Sequence, residues 1–211
     1  CIVSFYFPPD LCAGSFRAEA LVKALLKFKN EISEIEILTT SPNRYSSHLI
    51  ETENEVIKSN KITIKRVKVP KHNSGLMGQS IAFLFFAFGV LIYSRSKKWN
   101  LVVATSSRLM TACLGAIISK NKKIPLYLDI RDLFVDTMNN VLSKSHLRHI
   151  LVLFKYIEKL TFNAAHTINI VSQGFENYLN VIVNNKKITF HTNGIDNIFL
   201  KNTKRNTKIS Y

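Results

Sequence analysis

CIVSFYFPPDLCAGSFRAEALVKALLKF, residues 1–28, is the stretch from which the fold is read. Residues 1–7 are apolar and rich in β-formers, as a buried strand requires, and Pro8-Pro9 ends them. From about Ser15 to Phe28, the residues Phe16, Ala20, Leu21, Ala24, Leu25 and Phe28 recur at helical spacing. A strand that passes through a short loop into a helix is the opening of a β-α-β unit.

The same alternation continues outward from this unit. Residues 35–39 read as a strand and residues 41–60 as a polar loop. Residues 61–69 (KITIKRVKV) alternate charged and apolar side chains, as a half-exposed or edge strand does. A helix over 78–96 follows, then a buried-type strand at 101–105 (LVVAT) and a helix near 108–119. The remainder reads as strand 125–130, helix 146–165, strand 167–171, helix 173–183 and strand 187–191. Repeated strand–helix alternation predicts an α/β, Rossmann-like, doubly wound and mostly parallel sheet with helices on both faces. Ligands of such sheets bind outside the carboxyl ends of the strands.

Composition narrows the class. The chain has 211 residues, 46% of them hydrophobic, which suffices for one sizeable core. Its 29 Lys and Arg against 14 Asp and Glu leave a net charge of +15, which attracts anions of any kind. The basic residues are scattered and not interleaved with aromatics, so no nucleic-acid partner is expected. Cys1, Cys12 and Cys113 share no CxxC spacing and do not pair evenly, which favours a reducing, cytoplasmic compartment. The six histidines form no i, i+4 pair with a matching Glu, so no metal site is expected.

Residues 81–93 (IAFLFFAFGVLIY) form the longest apolar run, 13 residues without a charge. A spanning helix needs about 20. Two readings fit: a core helix, or a helix lying on an anionic membrane surface, since Arg95, Lys97 and Lys98 follow it directly.

Four loops fall at the expected carboxyl ends of strands. In YFPPDLCAGSFR (6–17), Gly14 and Ser15 open a helix and would let backbone N–H groups approach a phosphate. The loop lacks the GxGxxG fingerprint, which disfavours a nicotinamide cofactor, and no cofactor is expected. DIRDLFVD (129–136) closes an apolar strand with three carboxylates and an Arg. It fits substrate orientation or base chemistry, and equally an Asp129–Arg131 surface pair or a helix cap. Ser172 in VSQGF (171–175) reads as a helix N-cap. In HTNGID (191–196), Asn193-Gly194 signals a turn.

Taken together and in order, YFPPD with a G-x-x-R, DIRDLF, VSQGFENYL and TNGIDNIF resemble the N-terminal domain of bacterial family-four glycosyltransferases. The likeness is closest to those that build capsule and O-antigen polysaccharides, and it covers about residues 1–200. The resemblance implies one half of a GT-B enzyme, retaining and metal-independent. Such an enzyme moves a sugar from a nucleotide diphosphate sugar to a saccharide or polyprenyl-linked acceptor at the cytoplasmic membrane. By position it implies that Gly14, Ser15 and Arg17 border the donor phosphates and acceptor. Asp132 lies where the family's D-x-W-P aspartate lies, and Arg131 falls near a His used by some relatives. Ser172, Asn193 and Gly194 would line the cleft floor. Phe134-Val135 replaces the family's Trp-Pro, and Thr192 replaces the Pro before Asn-Gly.

No Glu is followed by another eight positions later, the E-x7-E signature of the donor-binding domain. The expectation is therefore an acceptor-side domain over 1–200, a basic tail or linker over 201–211, and a donor domain lying elsewhere, with this piece inactive alone. A non-catalytic membrane-docking subunit of a split glycosyltransferase is the alternative.

Overall fold

The computed structural model describes residues 1–28, 30–43, 55–59, 61–71, 75–106, 108–142, 148–184 and 186–194. The expected basic tail, the 200/201 boundary, and His48, His72 and His146 lie outside the described residues. The strands are β1 (Ile2–Val3), β2 (Ile35–Thr40), β3 (Glu55–Ser59), β4 (Ile62–Val67), β5 (Val102–Ser106), β6 (Leu126–Ile130), β7 (Thr167–Ile170) and β8 (Lys187–Phe190). The helices are α1 (Ala13–Leu25), α2 (Leu76–Arg95), α3 (Leu109–Lys122), α4 (Phe134–Leu142), α5 (Arg148–Ala164) and α6 (Glu176–Ile182).

The eight strands form one sheet in the order β3-β4-β2-β1-β5-β6-β7-β8. Every pairing is parallel except β3 with β4. The expected Rossmann-like architecture is thus the one observed. The period-two alternation of each strand divides the core. Val3, Leu38, Ala104, Leu128 and Ile168 point to the face covered by Ala82, Phe86 and Val90 of α2 and by Leu114 and Ile118 of α3. Ile2, Ile37, Ile64 and Val103 point to the other face, under Ala18 and Val22 of α1.

Right-handed crossovers explain this division. From β1 the chain moves through α1 to β2 on one side. From β4 it returns through α2 to β5 on the other side of β1, so α2 must take the opposite face. The strand order reverses between β1 and β5. In a doubly wound sheet that switch point opens a crevice at the carboxyl ends.

Two readings change. Residues 41–60 are not all loop: Glu55–Ser59 is an edge strand, antiparallel to β4 with Val56 opposite Ile64. Its polar composition hid a strand whose role is to cover the β4 edge. The segment 129–136 is only partly loop, because α4 begins at Phe134. Burial of Leu133 and Val135, with Phe134 edge-on to Phe154 at 5.2 Å, drives that helix onto α5. The turn expected at Asn193-Gly194 runs into residue 195 and so lies partly outside the described residues.

Candidate functional site

The crevice forms where the topology requires it. Ser4, Phe5 and Tyr6 follow β1, Thr105 ends β5, and Arg131 follows β6. Gly14 from the first turn of α1 and Thr111 from that of α3 complete the lining. Both helices start without a side-chain cap, at Cys12 and at Arg108. Their first N–H groups therefore add to the positive ends of two helix dipoles.

Polar groups in the walls divide into occupied and unoccupied. Thr105 Oγ1 donates to Ser4 Oγ at 3.1 Å, and Ser4 Oγ donates to the Tyr6 carbonyl at 2.7 Å. Arg108 Nη2 donates to Tyr6 Oη at 2.8 Å and to Gln79 Oε1 at 3.1 Å. Its guanidinium also lies 5.0 Å from the Phe5 ring centre. Arg108 is thereby fixed as part of the wall. Arg131 differs: its Nε is buried and has no hydrogen-bond partner. Burial first, and then the charge of Arg17, lowers the Arg131 pKa. Ser15, beside Gly14, is fully buried, and its Oγ also has no partner. A guanidinium held in this way attracts an anion that would complete its coordination.

Arg17 belongs to a neighbouring network. Its Nε donates to Asp129 Oδ2 at 2.6 Å and its Nη2 to Asp129 Oδ1 at 2.7 Å. Nη2 also reaches the His191 carbonyl at 3.1 Å. Nη1 reaches the Thr192 carbonyl at 3.2 Å and Asn193 Oδ1 at 2.9 Å. These five bonds match the five N–H groups of a guanidinium. Asn169 Nδ2 donates to Asp129 Oδ1 at 2.7 Å, and Thr189 Oγ1 donates to Asn169 Oδ1 at 3.2 Å. The partner of Asp129 is Arg17, so the Asp129–Arg131 surface pair considered from sequence is not what forms. Asp129 is buried, and the helix one face away supplies the better geometry. Asn193 is held by Arg17 through its side-chain oxygen.

Gly14 and Arg131 therefore meet in the crevice, with Ser15 adjoining. Asp132 is exposed in the loop beside Arg131. Arg17 and Asn193 meet each other alongside. Ser172 stands apart, where its Oγ accepts the Gly174 N–H at 3.3 Å as an N-cap. Gly194 is exposed, with open space around its Cα. Sequence reasoning missed Arg108, Asn169 and Thr189. Arg108 did carry a signal, since it opens a helix directly after a buried strand. Asn169 sits inside an apolar strand and reads there as a mere interruption. Among the described residues no group of three or more His, Cys, Asp or Glu side chains could hold a metal ion.

The fold is a Rossmann-like α/β domain of the kind that forms one half of a GT-B fold. Among solved structures, the chain matches sucrose-phosphate synthase from Thermosynechococcus elongatus with a TM-score of 0.65 at 12% identity. The match covers 92% of this chain and 48% of that one. The chain thus spans about half the length of that enzyme. A structure of part of the same synthase (residues 27–220 and 406–426) matches with a TM-score of 0.62 at 12% identity, over 96% of this chain and 94% of that one. A weaker match is a UGT transferase from Siraitia grosvenorii in complex with UDP. Its TM-score is 0.49 at 9% identity, over 92% and 50% of the two chains. No protein-family model and no curated protein matches the sequence.

Proposed function

We propose that the chain is the acceptor-side half of a retaining glycosyltransferase. It would move a sugar from a nucleotide diphosphate sugar to a saccharide or polyprenyl-linked acceptor in surface polysaccharide synthesis. The observation that carries this reading is the Arg131 guanidinium at the switch point, its Nε buried and unpartnered, facing the same crevice as the uncapped start of α1. A buried cation and a helix N-terminus suit a diphosphate whose charge grows as the sugar departs. The exposed Asp132 would orient an acceptor hydroxyl. Gly14 and Ser15 would approach the donor phosphates. Ser172, Asn193 and Gly194 would border the cleft toward the donor half, and Arg17 would hold that border in place. Because the chain spans about half the length of the synthase it matches, a donor-binding half would be supplied by a second domain or a partner.

The test is a transfer assay on the assembled two-domain protein, with nucleotide diphosphate sugars and polyprenyl-linked acceptors. Arg131→Ala and Asp132→Asn should each lower kcat/KM about tenfold or more, the usual range for positioning or acid–base groups. Absence of transfer from every donor tried, or full activity in both folded variants, would overturn the reading.

A further inference from the structure

Helix α2 has two apolar faces, and the sheet uses only one. Ala82, Phe83, Phe86 and Val90 are buried in the core. Met77, Ile81, Leu84, Phe85, Phe88 and Ile92 all remain exposed, with Met77 79%, Phe85 55% and Phe88 69% accessible. At 3.6 residues per turn these six fall on one stripe about 100° wide. The stripe contains no charged residue along the helix. A soluble surface rarely leaves so continuous an apolar face uncovered.

The charge around this helix points to the occupant. Between residues 56 and 128 the sequence has thirteen Lys and Arg and no Asp or Glu. The exposed Arg95 closes the last turn of α2, the exposed Lys98 follows it and the exposed Lys71 precedes its start. Lys97 is engaged by Glu36 at 3.0 Å and holds the end of the helix against the sheet. Because the buried face of α2 is locked into the core, the helix is not free to cross a bilayer. A second copy of the chain would bring two strongly cationic surfaces together, and a net charge of +15 opposes that.

We infer that α2 is a membrane-docking element, with its Met77–Ile92 stripe lying in the interface of an anionic bilayer and its flanking cations on the phosphate head groups. Apolar burial and attraction to anionic lipid act together in such helices. The inference stands apart from sugar transfer, because lipid binding needs neither donor nor acceptor.

Co-sedimentation of the chain with phosphatidylcholine vesicles containing increasing phosphatidylglycerol tests it. Bound protein should rise with phosphatidylglycerol and fall with salt. The double variant Phe85→Ser/Phe88→Ser should bind about tenfold or more weakly, since interfacial affinity follows buried apolar area. Both side chains are exposed, so its circular dichroism should match the parent. Phe28→Ser, an exposed apolar residue just past α1, should bind like the parent. Absence of binding, indifference to phosphatidylglycerol, or undiminished binding by the double variant would overturn the inference. So would a lipid-free dimer in sedimentation equilibrium that the double variant abolishes, because the stripe would then be a self-association face.

Discussion

Arg17 and Asp129, 112 residues apart, meet in a two-pronged ion pair at 2.6 and 2.7 Å, with the Asp129 side chain only 5% exposed. The pair joins α1 to β6. The remaining Arg17 donors hold His191, Thr192 and Asn193, the segment leaving β8. The hydrogen bond to Asp129 raises the Arg17 pKa above its ordinary value. Removing one partner leaves the other buried and uncompensated, which costs about 3–5 kcal/mol. Arg17→Ala should therefore lower unfolding free energy by about that amount in urea titrations. The double variant Arg17→Met/Asp129→Leu should recover part of the loss. Equal stability of Arg17→Ala and the parent would show that the pair contributes nothing.

Two glycines on neighbouring helices should respond differently to the same substitution. A Cβ on Gly115 would lie 2.6 Å from Ala104 Cβ, which is rigidly attached to the centre of β5. A Cβ on Gly89 would lie 2.6 Å from Val67 Cγ1, on a side chain that can rotate. Gly115→Ala should destabilise by about 1–3 kcal/mol, the cost of overpacking. Gly89→Ala should cost less, because side-chain rotation relieves the contact and alanine favours the helix. Thermal unfolding of the two variants checks the order.

Glu36 anchors the carboxyl end of α2. It accepts hydrogen bonds from Tyr93 Oη and from Trp99 Nε1 at 2.7 Å, and it pairs with Lys97. Burial alone would raise its pKa, but the Tyr93, Trp99 and Lys97 donors outweigh burial and hold it below the ordinary 4.5. The same arrangement pushes Tyr93 up to about 12, through burial and then Glu36. With the folded pKa depressed, the unfolded chain binds more protons in this window, so stability rises with pH there. The Glu36 contribution is complete above the ordinary carboxylate value and is lost as pH falls through the folded value. Glu36→Gln should be less stable at neutral pH and should show a shallower decline below about pH 4.5. Parallel acid limbs for the two proteins would remove Glu36 from the account.

The sheet was legible because its signal is local. Runs such as 101–104 and 126–128 are continuously apolar and lie between helical periodicities, as buried parallel strands do. β3 was not legible, since an edge strand with Lys58 and Glu55 is chosen by its neighbour β4 and not by its own composition. Similar reasoning explains the site. Gly14, Ser15 and Arg131 could be placed by their position at strand ends. The engagement of Arg17 could not, because its partners sit 112 and 176 residues away and only the folded topology brings them together. Apolar residues around the whole of α2 showed that it would be buried somewhere, without showing that only one face would be covered.

On the proposed function, the crevice at the β1–β5 switch point binds the phosphates of a sugar nucleotide. The most direct measurement follows backbone amide and arginine Nε–H resonances while inorganic pyrophosphate and UDP are titrated into the chain. Weak, fast-exchange binding is expected. The largest shifts should fall on Gly14, Ser15 and the Arg131 Nε–H, and Arg131→Ala should abolish them while leaving the Arg17 Nε–H in place. Shifts confined to exposed lysines such as Lys98 and Lys187, or none at Gly14 and Arg131, would contradict phosphate binding in the crevice.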